Sequence, residues 1–183
     1  MGNRTGTYVA FDGLGESDPS KSDFKYYATL QAWAANKNID FKLTNSHEKT
    51  YAVRDDSLRE TLKSRICERL SMSKNMLVVL TSQTRKSGSM LSFEIQKAVD
   101  YYELPLIIAY PDYAYILNVD SHRDLWPDAL SIRIDNGTAK AIHIPFAKYP
   151  VSDAISQFTV QDNGLTSGKN YYNRSTYEQW GLI

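Results

Sequence analysis

Two continuous apolar runs, with an amphipathic segment between them, dominate the hydrophobic pattern of the chain. The runs are MLVVLT, which begins at Met76, and LPLIIAYP, which begins at Leu104, and each has the length of a strand. Continuous apolar runs are typical of strands that are buried on both faces of a parallel sheet. The pattern therefore predicts a strand, a polar loop, a helix and a second strand. The helix is indicated by apolar residues at helical spacing, namely Leu91, Ile95, Ala98, Val99 and Tyr102.

Further strands and helices are predicted on both sides of this unit. TYVAF, residues 7 to 11, predicts a first strand, because it is rich in β-branched and aromatic residues and is followed by turn chemistry. A helical pattern covers residues 23 to 36, with Asp23 as a candidate cap. The segment DFKLTN alternates like a strand nearer the edge of a sheet. Apolar residues every four positions predict a helix that ends at Leu70, and AIHIPF, residues 141 to 146, predicts a later strand.

The order of these elements indicates an α/β fold. Strands and helices alternate as βαβαβαβ up to residue 111, which favours a parallel sheet with right-handed crossovers. We expect a flavodoxin-like three-layer fold with strand order 2-1-3-4-5, numbered along the chain. We expect one α/β domain over residues 1–160, with an irregular insertion or short hairpin around residues 112–140. Residues 161–183 are expected to form a C-terminal extension that packs on the domain.

Composition narrows the class of protein. The chain has 183 residues, of which 42% are hydrophobic, and this is sufficient for one core. Lys plus Arg equals Asp plus Glu at 21 each, so the basic surplus of a nucleic-acid-binding protein is missing. No apolar run approaches the roughly 18 residues of a membrane span, and no secretory signal pattern follows Arg4. We therefore expect a cytoplasmic protein without nucleic-acid or membrane partners.

Spacing excludes several familiar sites. A single cysteine, Cys67, and scattered histidines leave no zinc-ligand spacing, so no metal is expected. The glycines at 13 and 15 start a dinucleotide fingerprint, but Asp18 stands where the third glycine belongs. A Walker A sequence and a GxSxG nucleophile elbow are absent. A two-component receiver needs an acidic pair after the first strand, and this chain has only Asp12 there, which makes a phospho-receiver improbable.

Polar and aromatic residues follow the predicted strands at the edge where open α/β sheets bind ligands. Because the carboxyl ends of parallel strands meet at one edge, we expect these side chains to converge. A carboxylate can hold a ribose diol and an aromatic ring can stack on a base, so the set suits a nucleotide or sugar ligand. The candidates are Phe11 and Asp12 after the first strand, Ser46 and His47 after the second, Thr81 and Ser82 after the third, and Glu94 on the helix beyond.

Each candidate also has an ordinary structural role. A glutamate in the first turns of a helix is favoured by the helix dipole. Asp12 precedes a glycine and is a good turn residue. Phe11 is suited to closing a core at the end of a strand, and His47 to a solvated loop. Thr81 and Ser82 can cap local backbone. These alternatives stay open from the residues alone.

The segment VVLTSQTRKSGSMLSFEIQKAV, the order of elements and the loop after the first strand resemble TIR-like domains of the Thoeris anti-phage branch. In that branch a strand ending in S-Q-T leads through a short loop into a helix with a Y/F-E-I triplet. Here residues 81–84 read Thr-Ser-Gln-Thr and residues 93–95 read Phe-Glu-Ile. The similarity covers roughly residues 7 to 111.

This resemblance implies an enzyme that consumes NAD, either an NAD glycohydrolase, which is a hydrolase, or an ADP-ribosyl cyclase. The helix glutamate is the catalytic carboxylate of such enzymes, and Glu94 is the matching position. Cleavage of the nicotinamide–ribose bond builds oxocarbenium character that a carboxylate can stabilise. The resemblance implies NAD or a related nucleotide as the substrate and no further cofactor. It also implies self-association and a separate effector protein that responds to the product in anti-phage or stress signalling.

One position departs from the family pattern and keeps other functions open. The family often carries Trp four residues before the glutamate, whereas this chain has Met90. Residues four apart share a helix face, so Met90 is expected to line the substrate site beside Glu94 as a flexible substitute for an aromatic wall. The alternatives are a TIR-like interaction or scaffold module that has lost catalysis, and a nucleotide-sensing module without chemistry.

Overall fold

Five parallel strands form the centre of the molecule in the computed structural model, which describes residues 4–14, 23–36, 42–44, 56–162 and 164–183. The strands lie side by side in the order in which they occur along the chain. Their bounds are β1 (Gly6–Ala10), β2 (Ser73–Val79), β3 (Leu106–Tyr110), β4 (Ala141–Pro145) and β5 (Asn170–Tyr171).

Helices lie in the connections between these strands and after the last one. They are α1 (Phe24–Ala34), α2 (Asp56–Met72), α3 (Met90–Asp100), a 3-10 helix (Asp120–Leu125), α4 (Asp128–Asp135), α5 (Lys148–Gln157) and α6 (Arg174–Gln179). The helical patterns found in the sequence correspond to α1, α2 and α3.

Side chains alternate across the sheet and divide the core into two halves. On one face, residues such as Val78 and Ile108 pack with apolar residues of α2, α3 and α4. On the other face, residues such as Leu77 and Ile107 pack with apolar residues of α1 and α5. Strands β2 and β3 are therefore covered on both sides, as their continuous apolar sequences predict. The result is a three-layer α/β fold with a parallel sheet.

Among the described residues, a single bridge represents the second predicted strand, so the predicted strand order is not confirmed. The sequence predicts a full strand over DFKLTN and the order 2-1-3-4-5, but the described strands have the order β1-β2-β3-β4-β5. Within residues 42–44, only Leu43 forms a parallel bridge, with Thr7. The Thr7 N–H donates to the Lys42 carbonyl at 2.9 Å, and the Thr44 N–H donates to the Thr7 carbonyl at 2.8 Å. Leu43 packs on the core, partly buried, while Lys42 is exposed. Within residues 42–44, strand pairing does not extend beyond this one bridge.

The connection between β3 and β4 is helical and contains no hairpin. Helix α4 ends at Asp135, and Gly137 takes a positive φ of 76° just after it, as is usual at the end of a helix. An ion pair joins Arg133 of α4 to Asp100 of α3. The indole of Trp126 is fully buried in the same half of the core.

The end of the chain completes the sheet. Strand β5 pairs Asn170 with Ile142 and has only two residues, which is too short to leave a periodic signal in the sequence. Helix α6 begins after Asn173, whose side-chain oxygen accepts a hydrogen bond from the Thr176 N–H at 2.9 Å. Tyr177 in this helix is fully buried. Among the described helices, none combines the length and the apolar character that crossing a membrane requires.

Candidate functional site

Glu94 lies inside the protein, between α3 and β1. The apolar residues Leu91 and Ile95 hold α3 against the sheet, and this packing turns the glutamate toward the interior. Only 6% of Glu94 is exposed. The Tyr8 hydroxyl on β1 donates a hydrogen bond of 2.6 Å to Glu94 Oε1. The acid is therefore fixed at the interface of a strand and a helix.

Burial is the main reason that the pKa of Glu94 is raised to about 8. The hydrogen bond from Tyr8 acts in the opposite direction, and the negative charge of Asp12 adds to the rise. Burial and the nearby glutamate also raise the pKa of Tyr8, so its hydroxyl keeps the proton that it donates. Glu94 is mostly protonated at neutral pH and can exchange its proton close to physiological pH.

Asp12 follows β1 and is surrounded by donors from two loops. Arg85 donates from Nη2 to Oδ1 at 2.6 Å and from Nε to Oδ2 at 2.9 Å, and its backbone N–H also donates to Oδ2 at 2.9 Å. The Leu14 N–H donates to Oδ1 at 2.9 Å. Burial alone raises the pKa of Asp12, but these hydrogen bonds outweigh it and hold the pKa below its ordinary value. Asp12 is therefore ionised and paired.

A third acid, Asp23, joins this group at the start of α1. It is 5% exposed, and its Oδ2 accepts a hydrogen bond of 3.3 Å from the Thr81 hydroxyl. Burial raises the pKa of Asp23 to about 6, the Thr81 hydrogen bond lowers it, and the charge of Asp12 raises it further. Asp23 occupies the N-cap position of α1, as predicted, but its side chain makes no capping hydrogen bond.

The carboxyl ends of β1 and β2 therefore bring three of the predicted site residues into one electrostatically linked group. Asp12 and Thr81 belong to the loops after these strands, and Glu94 responds to the charge of Asp12 from α3. Met90 begins α3 and packs, partly buried, on the same half of the core as Leu91. We define Asp12, Asp23 and Glu94 as the acid cluster.

The remaining predicted residues lie apart from Glu94 or outside the described residues. Phe11 packs in the half of the core that contains α1, where its ring centroid is 6.2 Å from that of Phe24. Glu94 faces the opposite side of the sheet, through Tyr8. Ser82 is exposed in the loop after β2. Ser46 and His47 lie outside the described residues.

Sequence reasoning missed Tyr8 and Arg85, and it assigned Asp23 only a capping role. A signal existed for Arg85, since it and Lys86 are the only charged residues between positions 81 and 89. A weaker signal existed for Tyr8, which occupies an otherwise apolar buried strand and needs a partner for its hydroxyl. The partner itself is not readable from sequence.

A cavity of about 430 Å³ opens beyond the end of β3, in the connection to the 3-10 helix. Asp112 lies at its wall, and the charge of Asp112 makes a small contribution to the raised pKa of Asp23. The other lining residues are the polar or aromatic Tyr113, Tyr115, Asn118, Ser121 and His122 and the apolar Ala114 and Leu117. Within the described part of the chain, no three His, Cys, Asp or Glu side chains are grouped so that they could hold a metal ion.

Comparison with known proteins identifies a family. The family described as "Thoeris protein ThsB, TIR-like domain" matches residues 8–115, which is more than half of the 183 residues. A solved structure titled "Crystal structure of conserved protein from Enterococcus faecalis V583" is similar at 19% identity and a TM-score of 0.40. That similarity covers 97% of this chain and 96% of the other.

Proposed function

The chain belongs to the Thoeris ThsB TIR-like domain family, and from this premise we propose that it cleaves the nicotinamide–ribose bond of NAD. Family membership supports a role in anti-phage signalling. The observation that carries the chemical proposal is the buried Glu94, which the Tyr8 hydroxyl holds at 2.6 Å and whose pKa lies near neutrality. Perturbed acids of this kind are common at catalytic sites.

The proposed step needs a group that stabilises positive charge on the ribose. The bond between ribose C1 and the nicotinamide nitrogen breaks, and both electrons leave with nicotinamide. The resulting oxocarbenium character is stabilised by the ionised form of Glu94. Water then adds to C1 and loses a proton, which gives ADP-ribose. Attack by a hydroxyl or ring nitrogen of the same molecule instead gives a cyclic ADP-ribose isomer. NAD is the substrate, and no further cofactor is included.

The proposal retains the other predicted substrate contacts and partners. NAD or a related nucleotide is the ligand, the protein self-associates, and a separate effector protein responds to the product in the cytoplasm. Asp12 is included as a residue that acts through its partner Arg85, since its carboxylate oxygens already accept hydrogen bonds from Arg85 and Leu14. The remaining substrate-binding residues in the proposal are Phe11, Ser46, His47, Thr81, Ser82 and Met90.

The decisive experiment follows nicotinamide release from NAD by the full chain and by Glu94→Gln. We expect the variant to lose about 100-fold or more of the rate, since it removes the charge that stabilises the transition state. The exposed Glu178 on α6 provides a matched control, because Glu178→Gln removes a carboxylate away from the acid cluster. High protein concentration is used so that a site shared between two protomers can form. Release that persists in Glu94→Gln would remove Glu94 from the mechanism.

Met90 favours a second candidate, an interaction or scaffold module without turnover. It replaces the aromatic residue that the family often has beside the glutamate, and it packs partly buried on the core. A protein that self-associates but releases no nicotinamide at high concentration would support the scaffold. Introducing the aromatic side chain, Met90→Trp, distinguishes the two candidates, since a gain of nicotinamide release is expected only if the rest of the catalytic site is present.

A further inference from the structure

Arg85 is held in one orientation and is nevertheless accessible. Its guanidinium donates through Nε and Nη2 to Asp12, whose side chain is completely buried, while 45% of the Arg85 side chain is exposed. Among the described residues, Nη1 makes no hydrogen bond. A guanidinium carries five N–H donors in a planar fork, so the outer edge keeps donors for a ligand. The pair therefore has a buried negative end and a positive end that faces solvent.

Within the described part of the chain, the neighbouring cation, Lys86, is held by backbone carbonyls and not by a carboxylate. Lys86 Nζ contacts the backbone carbonyls of Asp124 and Trp126, and this ties the loop after β2 to the segment before α4. Lys25, which is close enough to Asp23 to lower its pKa, lies over the Tyr26 ring at 4.9 Å from the centroid. Of the two cations in the loop after β2, Arg85 is the one that is held on a carboxylate of the acid cluster.

A dinucleotide at this edge of the sheet would bring a negatively charged diphosphate toward the acid cluster. Asp12 is ionised, and Asp112 adds a further negative charge near Asp23. Repulsion by these carboxylates has to be offset by a cation between them and the ligand. Arg85 covers the Asp12 carboxylate on its solvent side, where it can offset this repulsion. Arginine also matches phosphate geometry through two parallel N–H donors.

We propose that Arg85 binds the diphosphate of a dinucleotide ligand and that Asp12 is the positioning residue that holds its guanidinium. The identity of the ligand rests on the proposed function, but the anion contact does not depend on turnover. Because Asp12 already fixes the side chain, little rotamer freedom remains to be lost when the anion binds.

Titration calorimetry with ADP-ribose tests the contact, and adenosine is the comparator without a diphosphate. We expect Arg85→Gln to weaken ADP-ribose binding about 10- to 100-fold, the usual effect of losing hydrogen bonds to a charged group. Adenosine binding should be unchanged. The control is Arg123→Gln, because Arg123 has the same 45% side-chain exposure and also pairs with an aspartate, Asp135, outside the acid cluster.

Three further variants keep the test independent of folding. Arg85→Gln leaves the buried Asp12 without its cation, so Asp12→Asn combined with Arg85→Gln removes both charges together. Arg85→Lys keeps the charge and loses the fork, and it should bind ADP-ribose more weakly than wild type. Asp12→Asn alone keeps the guanidinium but loosens it, so the KM for NAD should rise more than kcat falls. Melting temperatures show which variants are folded.

The outcomes separate this inference from the proposed function. ADP-ribose binding that depends on Arg85 without any nicotinamide release supports the anion contact and rejects the enzyme. Nicotinamide release with an unchanged KM in the Arg85 variants rejects the anion contact and supports the enzyme. Wild-type protein that fails to bind ADP-ribose, or folded Arg85 variants that bind it as tightly as wild type, would also overturn the inference.

Discussion

At the scale of single residues, the contact between Tyr8 and Glu94 sets the protonation of the buried acid. Burial favours the neutral carboxyl group, and the tyrosine hydroxyl favours the ionised carboxylate. The balance places the pKa of Glu94 at about 8. An acid with this pKa can be neutral while the site is empty and can lose its proton when positive charge develops beside it.

The first residue-scale prediction concerns Tyr8→Phe. The change removes the hydrogen bond that lowers the pKa of Glu94, so this pKa should rise by about one to two units. The proposed reaction uses the ionised form, and the ascending limb of nicotinamide release against pH should therefore move toward alkaline pH. At pH 7 the rate should fall about tenfold or more and recover as the pH rises.

Tyr149→Phe is the control for this change, since Tyr149 is 61% exposed on α5 and loses an equivalent hydroxyl. A Tyr8→Phe profile that coincides with wild type across the pH range would show that the hydroxyl does not set the ionisation of the acid. A uniform loss of rate at every pH would indicate a structural effect instead.

At the scale of secondary-structure elements, one chain of buried hydrogen bonds joins β3, β4 and the end of the chain. The Trp126 indole N–H donates to the Tyr110 hydroxyl at 2.8 Å, and that hydroxyl lies 2.8 Å from Nδ1 of His143. Nε2 of His143 lies 2.8 Å from the Gly168 carbonyl. Since a carbonyl can only accept, Nε2 carries the proton and Nδ1 accepts from Tyr110. Burial lowers the pKa of His143 to about 4, which keeps it neutral.

The close approach of Gly168 to α4 leads to an element-scale prediction. A Cβ at this position would lie 2.9 Å from Cγ1 of Ile134 and 3.1 Å from its Cγ2. Gly168→Ala should therefore force α4 and the segment before β5 apart and lower the free energy of unfolding by about 1–3 kcal/mol. Chemical denaturation measures this loss. Gly164→Ala is the matched control, because its Cβ would meet Phe158 at an ordinary 3.6 Å.

Equal stability of the two glycine variants would mean that Ile134 can move without cost. In that case the end of the chain would be only loosely packed on α4. A loss confined to Gly168→Ala would show that residues after α5 belong to the same cooperative unit as the sheet.

At the scale of the whole molecule, the class of fold could be predicted because it depends on local periodicity. The apolar runs of β2 and β3 and the stripe of α3 are visible in the sequence. Strand β5 is not, since a segment of two residues depends on a partner elsewhere in the chain.

The residues of the candidate site can also be divided into those that the sequence predicts and those that it does not. Glu94 and Asp12 could be predicted, because topology alone places the end of a strand and the start of the next helix near one edge of the sheet. Their partners could not. Tyr8 is separated from Glu94 by 86 positions, Asp12 from Arg85 by 73, and Asp23 from Thr81 by 58. Such pairings depend on the strand register and on which face of the sheet each side chain occupies.

The last prediction concerns how the stability of the whole fold depends on pH. The pKa of Glu94 is raised from 4.5 in an unfolded chain to about 8 in the folded protein. The folded state therefore binds more protons than the unfolded state between these values, and the free energy of unfolding falls as the pH rises toward 8. The slope contributed by one such group is at most about 1.4 kcal/mol per pH unit. Asp23, whose pKa is raised from 3.8 to about 6, contributes a slope of the same sign at lower pH. His143, whose pKa is lowered from 6.5 to about 4, contributes a slope of the opposite sign that fades above pH 6.5, and this term is shared by wild type and Glu94→Gln.

Urea denaturation at pH 6.5 and pH 8 tests this, with wild type compared against Glu94→Gln. Between these pH values Glu94 is the acid of the cluster that still titrates, so wild type should lose stability while Glu94→Gln should change much less. The measurement needs no substrate and is therefore independent of catalysis. If both proteins showed the same pH dependence, the carboxyl group of Glu94 would have to be ionised in the folded state at neutral pH. Its charge would then need a compensating cation, and the assignment of Glu94 as an acid that titrates near neutrality would be wrong.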